Sequence, residues 1–276
     1  DVRKKEKWKP YLDYVLKEQE WLKEHQEQEL KEIRSKDGLT LRAAYIPREN
    51  AKGTIICMHG YHSTNDIEFV PEVRFLWNLG YSILLPWQRS HGKSEGRYIT
   101  YGVKERHDLK RWILYTDRHL AAKNKDIFLC GISMGCATTL MAAGLDLPDN
   151  VKGIIADCGF TSPWDIIKHV AKERFHLPPF PLMYMVDLIS EVVAGFGLKE
   201  VSIPEIMKRN KIPVLFIHGD ADDYVPMWMT IKNYEACAAK KELYIVSGAG
   251  HALAFSKDME EGKRRIKNFI DKYKTI

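Results

Sequence analysis

The feature that most constrains this chain is an alternation repeated along most of its length. Short runs of four to six buried-type residues take turns with longer segments of helical spacing. The runs are Thr54–Met58, Tyr81–Leu85, Ile127–Cys130, Val151–Ala156, Val214–Ile217 and Leu243–Val246. The helical segments are Glu68–Leu79, Gly102–Thr116, Ser133–Gly144, Met227–Ala239 and Ser256–Tyr273. Strands without a polar face, separated by helices, predict a mostly parallel sheet covered on both sides. Ahead of them, Ile33–Ser35 and Leu39–Ile46 flank the Asp-Gly turn at Lys36-Asp37-Gly38, which predicts a β-hairpin and brings the strand count to eight.

Two stretches depart from the alternation. Residues 3–34 are charge-dense, and within 1–31 Trp8, Leu12, Val15, Gln19 and Leu22, widened by Tyr11 and Leu16, fall on one helical face. This predicts an amphipathic helical extension packed on the body. From Phe160 to Lys211 the strands stop, helical patterning takes over and five prolines intervene. About fifty residues is too long for a plain loop, so 160–210 is expected to be an inserted helical cap or lid. Residues 32–159 and 211–276 then form the core.

Composition narrows the function classes. The chain has 276 residues, 45% hydrophobic and 29% charged, which suits a folded protein with a sizeable core. Its formal net charge of +5 is spread along the chain without a basic stripe, so no nucleic-acid partner is expected. The five cysteines are odd in number, lack a C-x-x-C pair and lie mostly in apolar runs. Free thiols in a reducing compartment fit them, and no zinc-type spacing appears. Cytoplasmic location is the expectation. The first residue is Asp1 rather than Met, so removal of a preceding signal peptide or membrane anchor is the alternative. The most apolar stretch, Leu177–Leu198, carries Asp187, Ser190 and Glu191 and makes no good spanning helix.

The chemistry concentrates at strand ends. Gly131-Ile132-Ser133-Met134-Gly135 lies between a strand and a helix, the setting of a nucleophile elbow; the bland alternative is a helix N-cap at Ser133. A serine hydroxyl needs a base and the base needs an orienting acid. His218-Gly219-Asp220-Ala221-Asp222-Asp223 supplies three carboxylates after one strand, and Gly248-Ala249-Gly250-His251 follows the next. In a parallel sheet both loops share the carboxyl edge with Ser133. The Met134 amide and, from the His59-Gly60-Tyr61 loop, the Tyr61 amide are the expected donors to an oxyanion, with His59 as a structural histidine holding that loop.

These motifs in this order resemble the α/β-hydrolase superfamily, and within it a serine-aminopeptidase-like branch of bacterial hydrolases and esterases. The resemblance runs from about Glu32 to the C-terminus. It rests on Ser35–Leu39, His59-Gly60, Arg89–Ser94, Tyr101-Gly102, Gly131–Gly135, Ala156–Cys158, His218–Pro226 and Gly250-His251. It implies an α/β-hydrolase fold and a triad of Ser133, Asp222 and His251, Asp222 being the carboxylate in the family's H-G-x-x-D-x-x-V-P register. Asp157, at the end of another strand, is the rival acid. Arg89–Ser94 is expected to be a structural turn with its Arg and His hydrogen-bonded.

The implied function is hydrolysis of carboxylic esters with short to medium acyl groups, through an acyl-enzyme and without a metal or organic cofactor. Trp164, Met183 and Tyr184, with Met185 and Phe196, are candidates for an acyl pocket, core packing of the cap being the alternative. The same triad would serve an aminopeptidase, an amidase or a thioesterase, and a catalytically silent binding protein is the reading outside enzymology. The expected partner is a small ester or acyl substrate, with the chain a monomer or homodimer.

Overall fold

A computed structural model describes residues 2–26, 29–120 and 125–275. Eight strands form one sheet: β1 Leu30–Arg34, β2 Thr40–Ile46, β3 Gly53–Met58, β4 Ser82–Pro86, β5 Asp126–Ile132, β6 Val151–Asp157, β7 Val214–Gly219 and β8 Lys241–Val246. Their order is β1-β2-β4-β3-β5-β6-β7-β8. β1 and β2 pair antiparallel, as do β2 and β4, and every later neighbour is parallel. Parallel pairing directs β3, β5, β6, β7 and β8 so that their carboxyl ends share one edge.

The helices are α1 Val2–Gln26, α2 Asn65–Glu68, α3 Val70–Asn78, α4 Glu105–Tyr115, α5 Met134–Ala142, α6 Pro163–Glu173, α7 Pro179–Ile189, α8 Ile203–Met207, α9 Met227–Ala236, α10 Ala254–Lys257 and α11 Met259–Tyr273. Single π-turns extend α4 over Thr116–Leu120 and α7 over Ser190–Ala194. The sheet buries both faces. One core gathers Ile56, Leu84, Leu129 and Phe216 against Leu109, Trp112, Leu140 and Met229. The other gathers Ile55, Ile83, Phe128 and Leu215 against Val73, Leu76, Phe255 and Phe269. Residues adjacent along a strand fall in opposite cores because successive side chains leave opposite faces. All five cysteines are buried and free, and no helix among the described residues is long and apolar enough to cross a membrane.

Two local expectations change. β1 begins at Leu30, so the boundary at residue 31 cuts a strand; Leu30 pairs with Ala44 and Lys31 with Ala43. An edge strand of alternating exposure, written LKEIR, carries too little apolar signal to stand out from the charged helix before it. On α1, Leu22 is buried but Leu16 is 57% exposed, so Leu16 lies off the packed stripe. The contact face is Tyr14, whose hydroxyl donates to Pro71 O at 2.8 Å, with Glu18 near Arg74 and Trp21 edge-on to Trp77. The side chains of Trp8, Tyr11 and Leu12 lie outside the described part. Between β6 and β7 the chain makes α6, α7, the π-turn and α8.

Candidate active site

Ser133 stands between β5 and α5 with φ 54° and ψ −116°. A non-glycine residue held there stores on the order of 1–3 kcal/mol of strain, which the packing around it must offset. The strand end supplies part of that, since the Ser133 N–H donates to Asp157 O at 2.9 Å. Gly135 supplies room: a Cβ there would sit 1.8 Å from Met58 O and 2.7 Å from His59 O. Only glycine lets the first turn of α5 press against the end of β3, which brings the His59–Tyr61 loop beside Ser133.

His251, after β8, meets both expected partners. Its Nε2 lies 2.9 Å from Ser133 Oγ and its Nδ1 lies 2.8 Å from Asp222 Oδ2. A carboxylate only accepts, so Nδ1 carries the proton and Nε2 offers its lone pair to the serine hydroxyl. Asp222, after β7, is itself fixed: Oδ1 accepts the Tyr224 and Val225 amides at 2.9 Å each, and Oδ2 also lies 3.3 Å from His218 Nε2. Burial opposes its charge, but hydrogen bonds from His218, His251 and the Val225 amide outweigh it and hold the carboxyl well below the usual range. His218 is buried, with Nε2 donating to Val225 O at 2.8 Å and Nδ1 2.8 Å from Thr230 Oγ1. Cys158 Sγ brings a metal-type donor within 4.8 Å of those of Asp222 and His251, yet both ring nitrogens of His251 are already engaged.

The other acids of the sequence fall elsewhere. Asp220 accepts the Gly248 N–H, joining the two loops, and Asp223 is exposed. Asp157 is buried with Oδ1 unpartnered. Burial is the main reason its carboxyl is pushed up to about 6, with His218 and His251 pulling it down and Asp222 pushing it up. Its backbone, through the Ser133 N–H, is what touches the elbow.

His59 behaves as a structural histidine. It is fully buried, and its Nε2 accepts the Gln88 N–H at 3.0 Å. Its Nδ1 therefore carries the proton and donates to Gly60 O at 2.9 Å. That carbonyl belongs to the same peptide unit as the Tyr61 N–H, and the two point opposite ways. The Gln88 side chain secures the loop further, donating to His59 O while accepting from Thr138 Oγ1. In the Arg89–Ser94 turn, Arg89 pairs with Asp108 at 2.6 Å and Asp37 at 2.8 Å, and His91 Nε2 accepts the His62 N–H.

Beside His251 runs an apolar groove of about 180 Å³, lined by Tyr101, Ile166, Ile167, Val170, Ala171, Phe175, Leu177 and Tyr224. The Tyr224 ring centroid is 5.1 Å from that of His251. Trp164, Met183 and Tyr184 are not among the lining residues. Met183 is buried in the core, and Trp164 packs edge-on to Tyr184 under Lys199. Packing side chains are indistinguishable from pocket side chains by composition alone. The groove instead uses the face of α6 with spacing Ile166, Ile167, Val170, Ala171, an amphipathic stripe that marks a lining once the cap's orientation is known. Glu68 and Gln88 also escaped the sequence reading, having no motif of their own.

Comparison with known proteins bears on the family and the fold. The chain is 29% identical to Bacillus subtilis (strain 168) YqkD over 87% of its length and 78% of that protein. It is similar to the Pyrococcus furiosus esterase Pf2001, with a TM-score of 0.71 and 26% identity, covering 89% of this chain and 92% of that one. Butyrivibrio proteoclasticus Est1E, solved with ferulic acid bound, shares the fold at a TM-score of 0.69 and 21% identity over 88% and 98% of the two chains. The finer resemblance to a serine-aminopeptidase-like branch is not what the family comparison reports. The model of the prolyl oligopeptidase family matches residues 94–275, and the chain belongs to that family, a hydrolase of the α/β-hydrolase fold.

Proposed function

We propose that the protein is a serine hydrolase of carboxylic esters, with Ser133 as nucleophile, His251 as general base and acid, and Asp222 as the orienting acid. The observation that carries this is the unbroken chain Ser133 Oγ, His251 Nε2, His251 Nδ1, Asp222 Oδ2, with links of 2.9 and 2.8 Å. Ser133 Oγ attacks the acyl carbonyl carbon as its proton passes to His251 Nε2. Negative charge grows on the carbonyl oxygen and is received by the Tyr61 and Met134 amides. The imidazolium, steadied by Asp222, gives its proton to the departing alkoxide, leaving an acyl-Ser133. Water, deprotonated by His251, then releases the carboxylic acid and restores the serine.

The groove beside Tyr224 would take the acyl group, and its apolar lining and modest volume suit short to medium chains. In this reading residues 160–210 act as a cap on a core of 32–159 and 211–276, with α1 an appended extension. The likeness to the Pyrococcus furiosus esterase supports an ester as substrate. The prolyl oligopeptidase family supports a second reading, peptide or amide hydrolysis with the same triad. A panel of p-nitrophenyl esters of graded acyl length, run beside aminoacyl-naphthylamides, decides between them. Ester turnover that disappears in Ser133→Ala is the expected result; ester turnover that persists in that variant overturns the mechanism.

A further inference from the structure

Glu68 ends α2, on the same connection after β3 that carries the Gly60-Tyr61 turn. Its carboxyl folds back over eight residues, and Oε2 accepts the Gly60 N–H. The fit depends on the glycine. A Cβ at Gly60 would lie 2.9 Å from Glu68 Oε1, 3.2 Å from Oε2 and 3.3 Å from Ser133 Cβ. Carboxyl, turn and serine therefore converge on a position where the chain has no side chain. The turn is gripped from both ends of the residue: His59 Nδ1 holds the Gly60 carbonyl and Glu68 holds the Gly60 amide. Only the first of these belongs to the His-Gly motif; Glu68 comes from a separate helix.

We infer that Glu68 is a positioning residue, which by accepting the Gly60 N–H fixes the following peptide so that the Tyr61 N–H stays aimed at the oxygen of the reacting carbonyl. The inference rests on the proposed role of Ser133 and the Tyr61 amide, and extends it to the group that sets the donor's direction. Fixing both the N–H and the C=O of Gly60 leaves that residue little freedom to rotate. Glycine would otherwise be the most mobile link in the loop. A donor in an oxyanion site acts only if it already points at the place where charge will develop. Burial pushes the Glu68 carboxyl up to about 7, against the Gly60 N–H and His251. Charged or neutral, it keeps an oxygen able to accept the Gly60 N–H, so the grip does not require the ionised form.

The test compares Glu68→Ala and Glu68→Gln with the unaltered chain. Three readouts are taken: p-nitrophenyl butyrate turnover, the rate of Ser133 labelling by a fluorophosphonate, and affinity for a trifluoromethyl ketone that forms a tetrahedral adduct. Misplacing one reacting group by about 1 Å can cost on the order of 10²-fold, so Glu68→Ala should lower kcat and the labelling rate roughly 10- to 100-fold, with KM within about twofold. Ketone affinity should fall in parallel. Glu68→Gln, which keeps an acceptor oxygen and the side-chain shape, should recover most of all three. A folding role alone would reduce the titre of labelled enzyme while leaving ketone affinity of the folded fraction unchanged. That outcome overturns the inference, as does a Glu68→Gln variant as impaired as Glu68→Ala. Ser133→Ala in the same assays separates the two levels: if it abolishes turnover while Glu68→Ala changes nothing, only the role of Glu68 falls. Turnover that survives Ser133→Ala removes both.

Discussion

The carboxyl edge of the sheet and the helical excursion between β6 and β7 are built on different principles. At the edge, Ser133, Asp222 and His251 each follow a strand whose neighbours fix its register residue by residue. Their side chains are bound from more than one side. The excursion rests on the body through one face, with Ile166, Met183, Phe196 and Leu198 buried, and leaves Phe180 75% and Val192 77% exposed. In the proposed reading the edge sets the reaction and the excursion sets what reaches it. The two should then respond to substitution in different ways.

The largest effects belong to the edge. Ser133→Ala or His251→Ala should lower ester kcat on the order of 10⁶-fold, since residues that act as a unit fail together. Folding, followed by circular dichroism, should persist. Asp222→Asn should cost about 10⁴-fold by favouring the wrong imidazole tautomer. Asp157→Asn should cost less than about tenfold, because no His251 nitrogen is bonded to that carboxyl. Steady-state kinetics on all four variants checks the ranking. A reversal of the two aspartates would transfer the acid's role to β6.

What could be read from sequence divides along the same line. Strand runs such as Thr54–Met58 and Val214–Ile217 are apolar because both faces of the sheet are covered, and that pattern is visible without coordinates. Ser133, Asp222 and His251 stand out as candidates because each follows a strand, and their meeting at one edge is legible because a parallel sheet gathers the loops after its strands there. Trp164, Met183 and Tyr184 were the natural pocket candidates by residue type. Where they lie depends on how α6 and α7 settle on the body, which no local pattern encodes. Glu68 was invisible for a related reason: its partner is a backbone N–H, and a backbone group leaves no mark in sequence.

A smaller effect separates the two aspartates by stability. Burial raises the Asp157 carboxyl to about 6. Such a group binds its proton more tightly folded than unfolded, so its contribution is intact below the unfolded value near 4 and is lost as pH rises through 6. A shift of that size corresponds to up to about 3 kcal/mol. Asp222, held low, has the opposite sign: its contribution is present above the unfolded value and is lost as pH falls. Urea unfolding at pH 4, 5, 6 and 7 should therefore show Asp157→Asn gaining on the unaltered chain as pH rises. No such gain would mean that Asp157 is already ionised without penalty.

The excursion should show itself through selectivity. Val170→Phe on α6 narrows the groove beside Tyr224 without touching the Ser133–His251–Asp222 chain. One methylene in an apolar pocket is worth about 10- to 200-fold in selectivity, so the octanoate-to-butyrate ratio of kcat/KM should fall at least about tenfold while acetate is spared. An equal loss on every ester would mean that the substitution disturbs the edge itself.

The smallest effect is the sharpest check on the comparison. Leu188 and Val192 lie one turn apart on the outer side of the excursion, 61% and 77% exposed. Neither lines the groove or the core. Replacing both with Ser removes apolar surface that the isolated chain gives to water, and exposed substitutions usually change stability by no more than about 0.5 kcal/mol. Turnover of short esters should stay within about twofold, measured at matched concentrations of labelled Ser133. If it falls tenfold instead, the outer face and the carboxyl edge are coupled. The excursion would then be part of the working site rather than a selective cover laid over it, and the division between the two regions would have to be redrawn.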